Sequence, residues 1–137
     1  YFRNNVWWWR PLWNYVCEVC EDVMSEKDME AGGSNSGDEI DENTIDCMLI
    51  KLRIEIALDN HKKHEKEYKK WQKNLSLEEC THCNGTGTRN DENVKAKCNG
   101  CDGKGEKEQW DCSYPFGAEN VEEFVAFLEQ SGGIRIC

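Results

Sequence analysis

The sequence contains no apolar run near the ~18 residues that a membrane-spanning helix requires, so no transmembrane segment is expected. Positive charge is also scarce. Lys and Arg number 17 against 27 Asp and Glu, a formal net charge of -10. DNA or an anionic membrane surface would be repelled by the chain as a whole, whereas a protein with a basic face would not. Apolar residues make up 38% of the 137, below the globular average, and charged residues 32%, above it. That composition allows one modest domain, or a small core with an appended module, and it calls for some further staple. The chain opens on Tyr1 rather than Met, so sequence is expected to precede it and the residues at hand carry no statement about a signal peptide.

Cysteine, by contrast, is abundant. The nine cysteines are an odd number, which in a secreted chain would mean disulfides with one thiol left over. Their arrangement points elsewhere. From Cys80 to Gly105 the phrase Cys-x-x-Cys-x-Gly-x-Gly occurs twice, as CTHCNGTG and CNGCDGKG. Cys80 and Cys83 form one close pair, Cys98 and Cys101 another, with 14 residues between them. A CxxC knuckle turns tightly enough to aim two sulfurs at one point. Two knuckles supply four thiolates for one tetrahedral Zn²⁺, and this spacing suits a two-knuckle zinc module. Gly85, Gly87, Gly103 and Gly105 follow the knuckles, where the backbone must curl around the sulfurs and present amides to them. Lys95, Lys97 and Lys104 lie close enough in sequence to offset the charge of four thiolates. With every position filled by sulfur the ion is expected to be structural, not catalytic. A thioredoxin-like dithiol would need a βαβ setting, which the pattern does not offer. Paired CxxC motifs favour a reducing compartment, so a cytoplasmic location is expected.

These repeats resemble the cysteine-rich zinc domain of DnaJ-type chaperones, matching its phrase at every fixed position in both copies. The resemblance spans about 26 residues and implies a β-hairpin-like zinc module that contacts proteins. The chaperones carry four repeats and two zincs, whereas two repeats leave room for one. The His-Pro-Asp motif and the Gly/Phe-rich region are missing, so co-chaperone activity is not implied.

Around the repeats the pattern is helical. The first stretch, YFRNNVWWWRPLWNYVCEVCEDVM, reads as helix from Pro11 onward, with Leu12, Val16, Val19 and Val23 on one stripe. Trp7, Trp8, Trp9 and Trp13 are either core aromatics or an exposed patch that grips a partner, and three adjacent tryptophans cannot all face one side of a helix. Cys17 and Cys20 form a third CxxC inside this helix; they are buried thiols, or they join Cys47, Cys112 or Cys137 in a second metal site. Gly32, Gly33, Ser34, Asn35, Ser36 and Gly37 are expected to break any helix, leaving an acidic loop over 31–43. Asp38, Asp41 and Asp46 lack the order of an EF-hand, so this loop is read as solvated rather than as a calcium site.

A single long helix is expected from about Thr44 to Leu75, with Ile45, Leu49, Leu52 and Ile56 on its apolar face. Eight Lys and Arg against four Asp and Glu between Lys51 and Lys73 make it locally basic, and pairs such as Glu65 and Lys69 fit a solvated helix. His61 and His64 have no third ligand nearby and are read as surface residues. Near the end, ENVEEFVAFLEQSGG is an amphipathic helix with Asn120 and Glu123 in capping-box positions, Val121, Phe124, Val125 and Leu128 on its apolar face, and Gly132 or Gly133 to end it. IRIC follows as a short strand or tail.

The expected fold is mainly α: a core of about three helices with an inserted β-hairpin-like zinc module. A helical region covers 1–78, the module 79–108, and a packing helix with a tail 109–137. The expected function is a non-enzymatic, zinc-stabilised interaction protein that regulates or inhibits another protein, one version being a phage-encoded inhibitor of a host nucleic-acid enzyme working in the host cytoplasm. The alternative is a nucleic-acid-binding zinc-finger protein that uses the module and the basic helix over 51–73.

Overall fold

A computed structural model describes residues 2–34, 37–91 and 94–136, with only the backbone of 90, 91, 94 and 95. The chain is mainly α. It divides into two compact units, Tyr1–Lys69 with Tyr114–Cys137, and Lys70–Ser113.

In the first unit the core is built by α1 (Val6–Cys20), α3 (Glu42–Ala57) and α5 (Ala118–Leu128). Leu12, Trp13, Val16 and Cys20 of α1 meet Ile45, Met48 and Leu52 of α3 and Val121, Phe124 and Leu128 of α5. Strand β1 (Glu39–Asp41) pairs antiparallel with β6 (Gly133–Arg135), and Ile40 opposite Ile134 adds to the same core. The expected apolar faces of α3 and α5 are thus the buried ones.

Helix α1 starts a turn before the expected position at Pro11. The Asn5 side chain accepts hydrogen bonds from the Trp7 and Trp8 amides at 3.1 and 3.2 Å, a cap that fixes the start upstream of the proline. Pro11 therefore sits inside the helix, where it withholds one amide donor.

The glycine-rich stretch also departs from expectation. Helix α2 (Glu26–Ser34) runs through Gly32 and Gly33. Its partners explain why: the Trp9 indole N–H donates to the Gly32 carbonyl at 2.7 Å and the Trp13 N–H to the Met29 carbonyl at 2.8 Å, with the two rings stacked 5.2 Å apart. A Cβ on Gly32 would lie 1.9 Å from Trp13 Cε2, whereas one on Gly33 would meet nothing. Gly32→Ala is therefore expected to destabilise the first unit by about 1–3 kcal/mol through overpacking. Gly33→Ala should be neutral or stabilising by up to about 1 kcal/mol. Thermal denaturation of the two variants checks this; equal shifts would refute the packing role of Gly32. The expected loop over 31–43 is thereby reduced, since α2 fills its start and β1 and α3 its end. Asn35 and Ser36 lie outside the described residues.

The long helix expected over 44–75 is two helices, α3 and α4 (Asn60–Lys73). Asp59 stands between them at φ 56°. This left-handed conformation costs Asp less than most residues, and the carboxylate pairs with Lys62 at 2.9 Å. No glycine or proline marks the break, so periodicity alone ran through it. Helix α4 carries the chain from the first unit into the second.

His61, read as a surface residue, is fully buried. Its Nε2 is 2.8 Å from a Glu122 carboxylate oxygen of α5, and its Nδ1 has no hydrogen-bond partner. His64 is half-buried, 4.6 Å from the Phe116 ring and 4.7 Å from the Tyr15 ring, measured between centroids. The cap of α5 is likewise tertiary. Helix α5 starts at Gly117 and Ala118, before Asn120, and the Ala118 amide donates to Glu65 of α4 at 3.1 Å. The Lys69 ammonium first, and this amide second, hold the Glu65 carboxyl below its usual range. Asn120 instead accepts a hydrogen bond from Asn4 at 2.9 Å.

Candidate metal centre

In the second unit four short strands frame the repeats. Strand β2 (Glu78–Glu79) pairs with β5 (Glu106–Lys107), and β3 (Thr88–Asp91) with β4 (Val94–Lys97). Residues 92 and 93 lie outside the described residues.

The two Cys-x-x-Cys-x-Gly-x-Gly phrases fold alike. Asn84 and Asp102 take φ 48° and 53°, Gly85 and Gly103 73° and 77°, and Gly87 and Gly105 74° and 81°. The Gly87 amide donates to Cys83 Sγ at 3.2 Å, and the Gly105 amide to Cys101 Sγ at 3.2 Å. The repeats also close on each other, since the Cys80 amide donates to the Gly105 carbonyl and the Cys98 amide to the Gly87 carbonyl, both at 2.8 Å. A Cβ on Gly87 would lie 2.4 Å from the Gly103 carbonyl oxygen, and one on Gly105 2.3 Å from that of Gly85. These two glycines are required both by backbone conformation and by the close approach of one repeat to the other.

The sulfurs of Cys80, Cys83, Cys98 and Cys101 are all buried and lie within 4.8 Å of one another. Cys80 Sγ is 4.0 Å from Cys98 Sγ, and Cys83 Sγ 3.7 Å from Cys101 Sγ. A tetrahedron with bonds of about 2.3 Å has sulfur–sulfur edges of about 3.8 Å, so the four thiols fit a single metal ion. Burial alone would raise the Cys101 thiol. The Gly105 amide and the neighbouring thiols of Cys83, Cys98 and Cys80 outweigh it and bring the group down to about 7. Donors of this kind favour thiolate, the form that binds metal.

Not all of the expected surroundings serve the sulfurs. Lys97 pairs with Asp102 at 2.6 Å rather than with a thiolate. The Lys95 side chain lies outside the described residues. Thr86, which the sequence reading passed over, donates its hydroxyl to the Cys83 carbonyl at 2.7 Å and ties down the first knuckle; a threonine at this spacing carries no motif that would have singled it out.

Among the described residues these four cysteines are the one group of three or more His, Cys, Asp or Glu placed to hold a metal. Cys17 and Cys20 on α1 are joined by no third ligand among the described residues. Burial pushes the Cys17 thiol up to about 11, and burial with the neighbouring Cys17 and Asp22 pushes Cys20 up to about 12, so both stay protonated at neutral pH. Cys47 is exposed on α3, Cys112 belongs to the second unit, and Cys137 lies outside the described residues. Asp38, Asp41 and Asp46 form no such group either; the Asp41 side chain caps α3 by accepting from the Thr44 amide at 3.1 Å.

The tryptophans divide. Trp13 is in the core and Trp9 packs against it. Trp7 and Trp8 are each 38% exposed. Even these are partly engaged, since the Trp7 ring lies 5.0 Å from Tyr114 and a Cβ on Gly117 would be 3.0 Å from Trp8 Cζ3. Among the described residues, four of the eight cations between Lys51 and Lys73 are in ion pairs: Lys51 with Asp22, Arg53 with Glu129, Lys62 with Asp59 and Lys69 with Glu65. No described helix is long and apolar enough to cross a membrane.

No family model, curated protein or solved structure matches this chain, so the likeness to the DnaJ-type zinc domain rests on its two eight-residue phrases and the clustered thiols.

Proposed function

We propose that this chain is a non-enzymatic protein-interaction module, held in shape by one structural Zn²⁺, that regulates or inhibits another protein. The observation that carries the reading is the closed sulfur shell. Four buried thiols converge at tetrahedral spacing, which leaves no ligand position for water or substrate. Zinc suits four thiolates better than magnesium or calcium, which prefer oxygen. When bound, the ion cross-links two knuckles and supplies no reactive group.

The partner would be basic, because the charge of the first unit is strongly negative. Its residues carry 10 Lys and Arg against 19 Asp and Glu, whereas the second unit carries 7 against 8. A phage-encoded inhibitor whose acidic surface fills the basic groove of a host nucleic-acid enzyme is the specific form of this proposal. Trp7 and Trp8, the more exposed of the four tryptophans, are its candidate contacts.

The test combines metal analysis with binding. Native protein should contain one zinc per chain, with four thiols unreactive towards a disulfide reagent until a chelator is added. It should not shift DNA or RNA in gels at low salt, and it should retain a protein partner on affinity capture. Metal-free native protein would end the zinc reading. Nucleic-acid binding that falls steeply with salt would replace the proposal with the zinc-finger alternative.

A further inference from the structure

Helix α3 is apolar on two opposite sides. One side, with Ile45, Met48 and Leu52, is buried in the core. The other carries Ile50 and Ile54, with Leu58 at the cap just past the helix end, and these three are 60%, 49% and 64% exposed. At 100° per residue the three fall within one narrow stripe, and Cys47 extends it by a further turn. Isoleucine is only a moderate helix former, and at an exposed position its branched side chain gains no burial. Lys, Glu or Ala would serve the helix better in both places. A second apolar stripe on a helix that already buries one side is the kind of surface that a partner helix covers.

The surroundings say what that cover is. Between Glu18 and Asp46 the sequence has eleven Asp and Glu and one Lys. Glu42 and Asp46 lie on α3 itself, both exposed, beside the start of the stripe. Glu18, Glu21 and Asp22 lie at the exposed end of α1, which is joined to α3 through the Asp22–Lys51 ion pair. The cations that flank the stripe, Lys51 and Arg53, are already paired with Asp22 and Glu129. A second copy of this chain would bring the same negative belt against itself, and an anionic surface would meet the same repulsion.

We propose that the exposed side of α3 docks a cationic amphipathic helix, about three turns long, whose apolar residues at i, i+3 or i+4 and i+7 cover Ile50, Ile54 and Leu58 while its Lys and Arg meet the belt around Glu42 and Asp46. The proposal rests on the interaction-module reading and specifies its surface and its partner's chemistry.

The experiment uses the full, metal-loaded chain. The probe is a fluorophore-labelled synthetic peptide of about three helical turns, with Leu at the i, i+3, i+4 and i+7 positions and Lys elsewhere, followed by anisotropy. Saturable binding is expected, weakening with salt. Ile50→Ser with Ile54→Ser should weaken it roughly tenfold or more. Both positions are exposed, so circular dichroism of that variant should be unchanged. Glu42→Gln with Asp46→Asn, which leaves the stripe intact, should weaken it as well, and so provides a second reading if the first variant folds poorly. A peptide with Glu in place of Lys should not bind.

Three results would overturn the proposal: equal affinity of the serine variant and the unaltered chain, which leaves charge alone; equal affinity for the Glu peptide; or a dimer in sedimentation that the serine substitutions abolish, which makes a second copy the cover. A natural partner captured equally by the serine variant would keep the interaction-module reading and remove this surface from it.

Discussion

Chelating the metal is expected to abolish the ordered structure of residues 70–113 while most of the helical circular-dichroism signal survives. In the second unit the buried apolar cluster among the described residues consists of the four cysteines and nothing else. The strands that frame them are two to four residues long, too short to hold themselves in water. Structural zinc contributes an apparent ~10–16 kcal/mol in small modules, as much as the whole stability of a typical domain, ~5–15 kcal/mol. Among the described residues of this unit the remaining contacts include short strand pairs and exposed ion pairs, which contribute far less. Cys83→Ser should act in the same direction, since it removes both a ligand and the acceptor of the Gly87 amide. Amide resonances of residues 78–107 should collapse into the random-coil range, and zinc should restore them in the unaltered chain. A dispersed spectrum after verified metal removal would contradict the account.

The second large effect belongs to the first unit. Phe124→Ala is expected to cost about 3–5 kcal/mol, the usual penalty for emptying a buried aromatic site. The ring is 1% exposed and lies against Phe2, Trp9 and Phe127 at centroid distances of 5.3, 5.8 and 6.4 Å. For a unit of this size such a loss should lower the melting temperature by more than about 10 °C. Phe124→Leu, which keeps most of the volume, should cost clearly less. If both variants melt within about 2 °C of the unaltered chain, Phe124 is not the centre of the core.

The cluster of four cysteines was legible in the sequence because its geometry is local. Two residues between paired cysteines, and a glycine two and four positions beyond each pair, fix the knuckle geometry almost without reference to the rest of the chain. The apolar stripes of α3 and α5 were legible for a similar reason, since the residues that share a helix face stand at fixed spacing. What escaped depends on partners distant in sequence. Gly32 and Gly33 stay helical because Trp9 and Trp13 hold the α2 backbone. His61 is buried, and its Nε2 lies 2.8 Å from a carboxylate oxygen of Glu122, 61 residues away. The start of α5 is capped from α4 by Glu65 rather than by its own Asn120. The break at Asp59 is a different case, an unsignalled left-handed residue within a continuous helical pattern.

The pairing of β2 with β5 brings Glu78 opposite Lys107, so the chain arrives at the metal module and departs from it side by side. A segment whose two ends meet in this way imposes no stretch on whatever carries it. The thirty residues from Glu78 to Lys107 therefore have the geometry of a portable cassette, which a surface turn of an unrelated scaffold can accept without rearrangement.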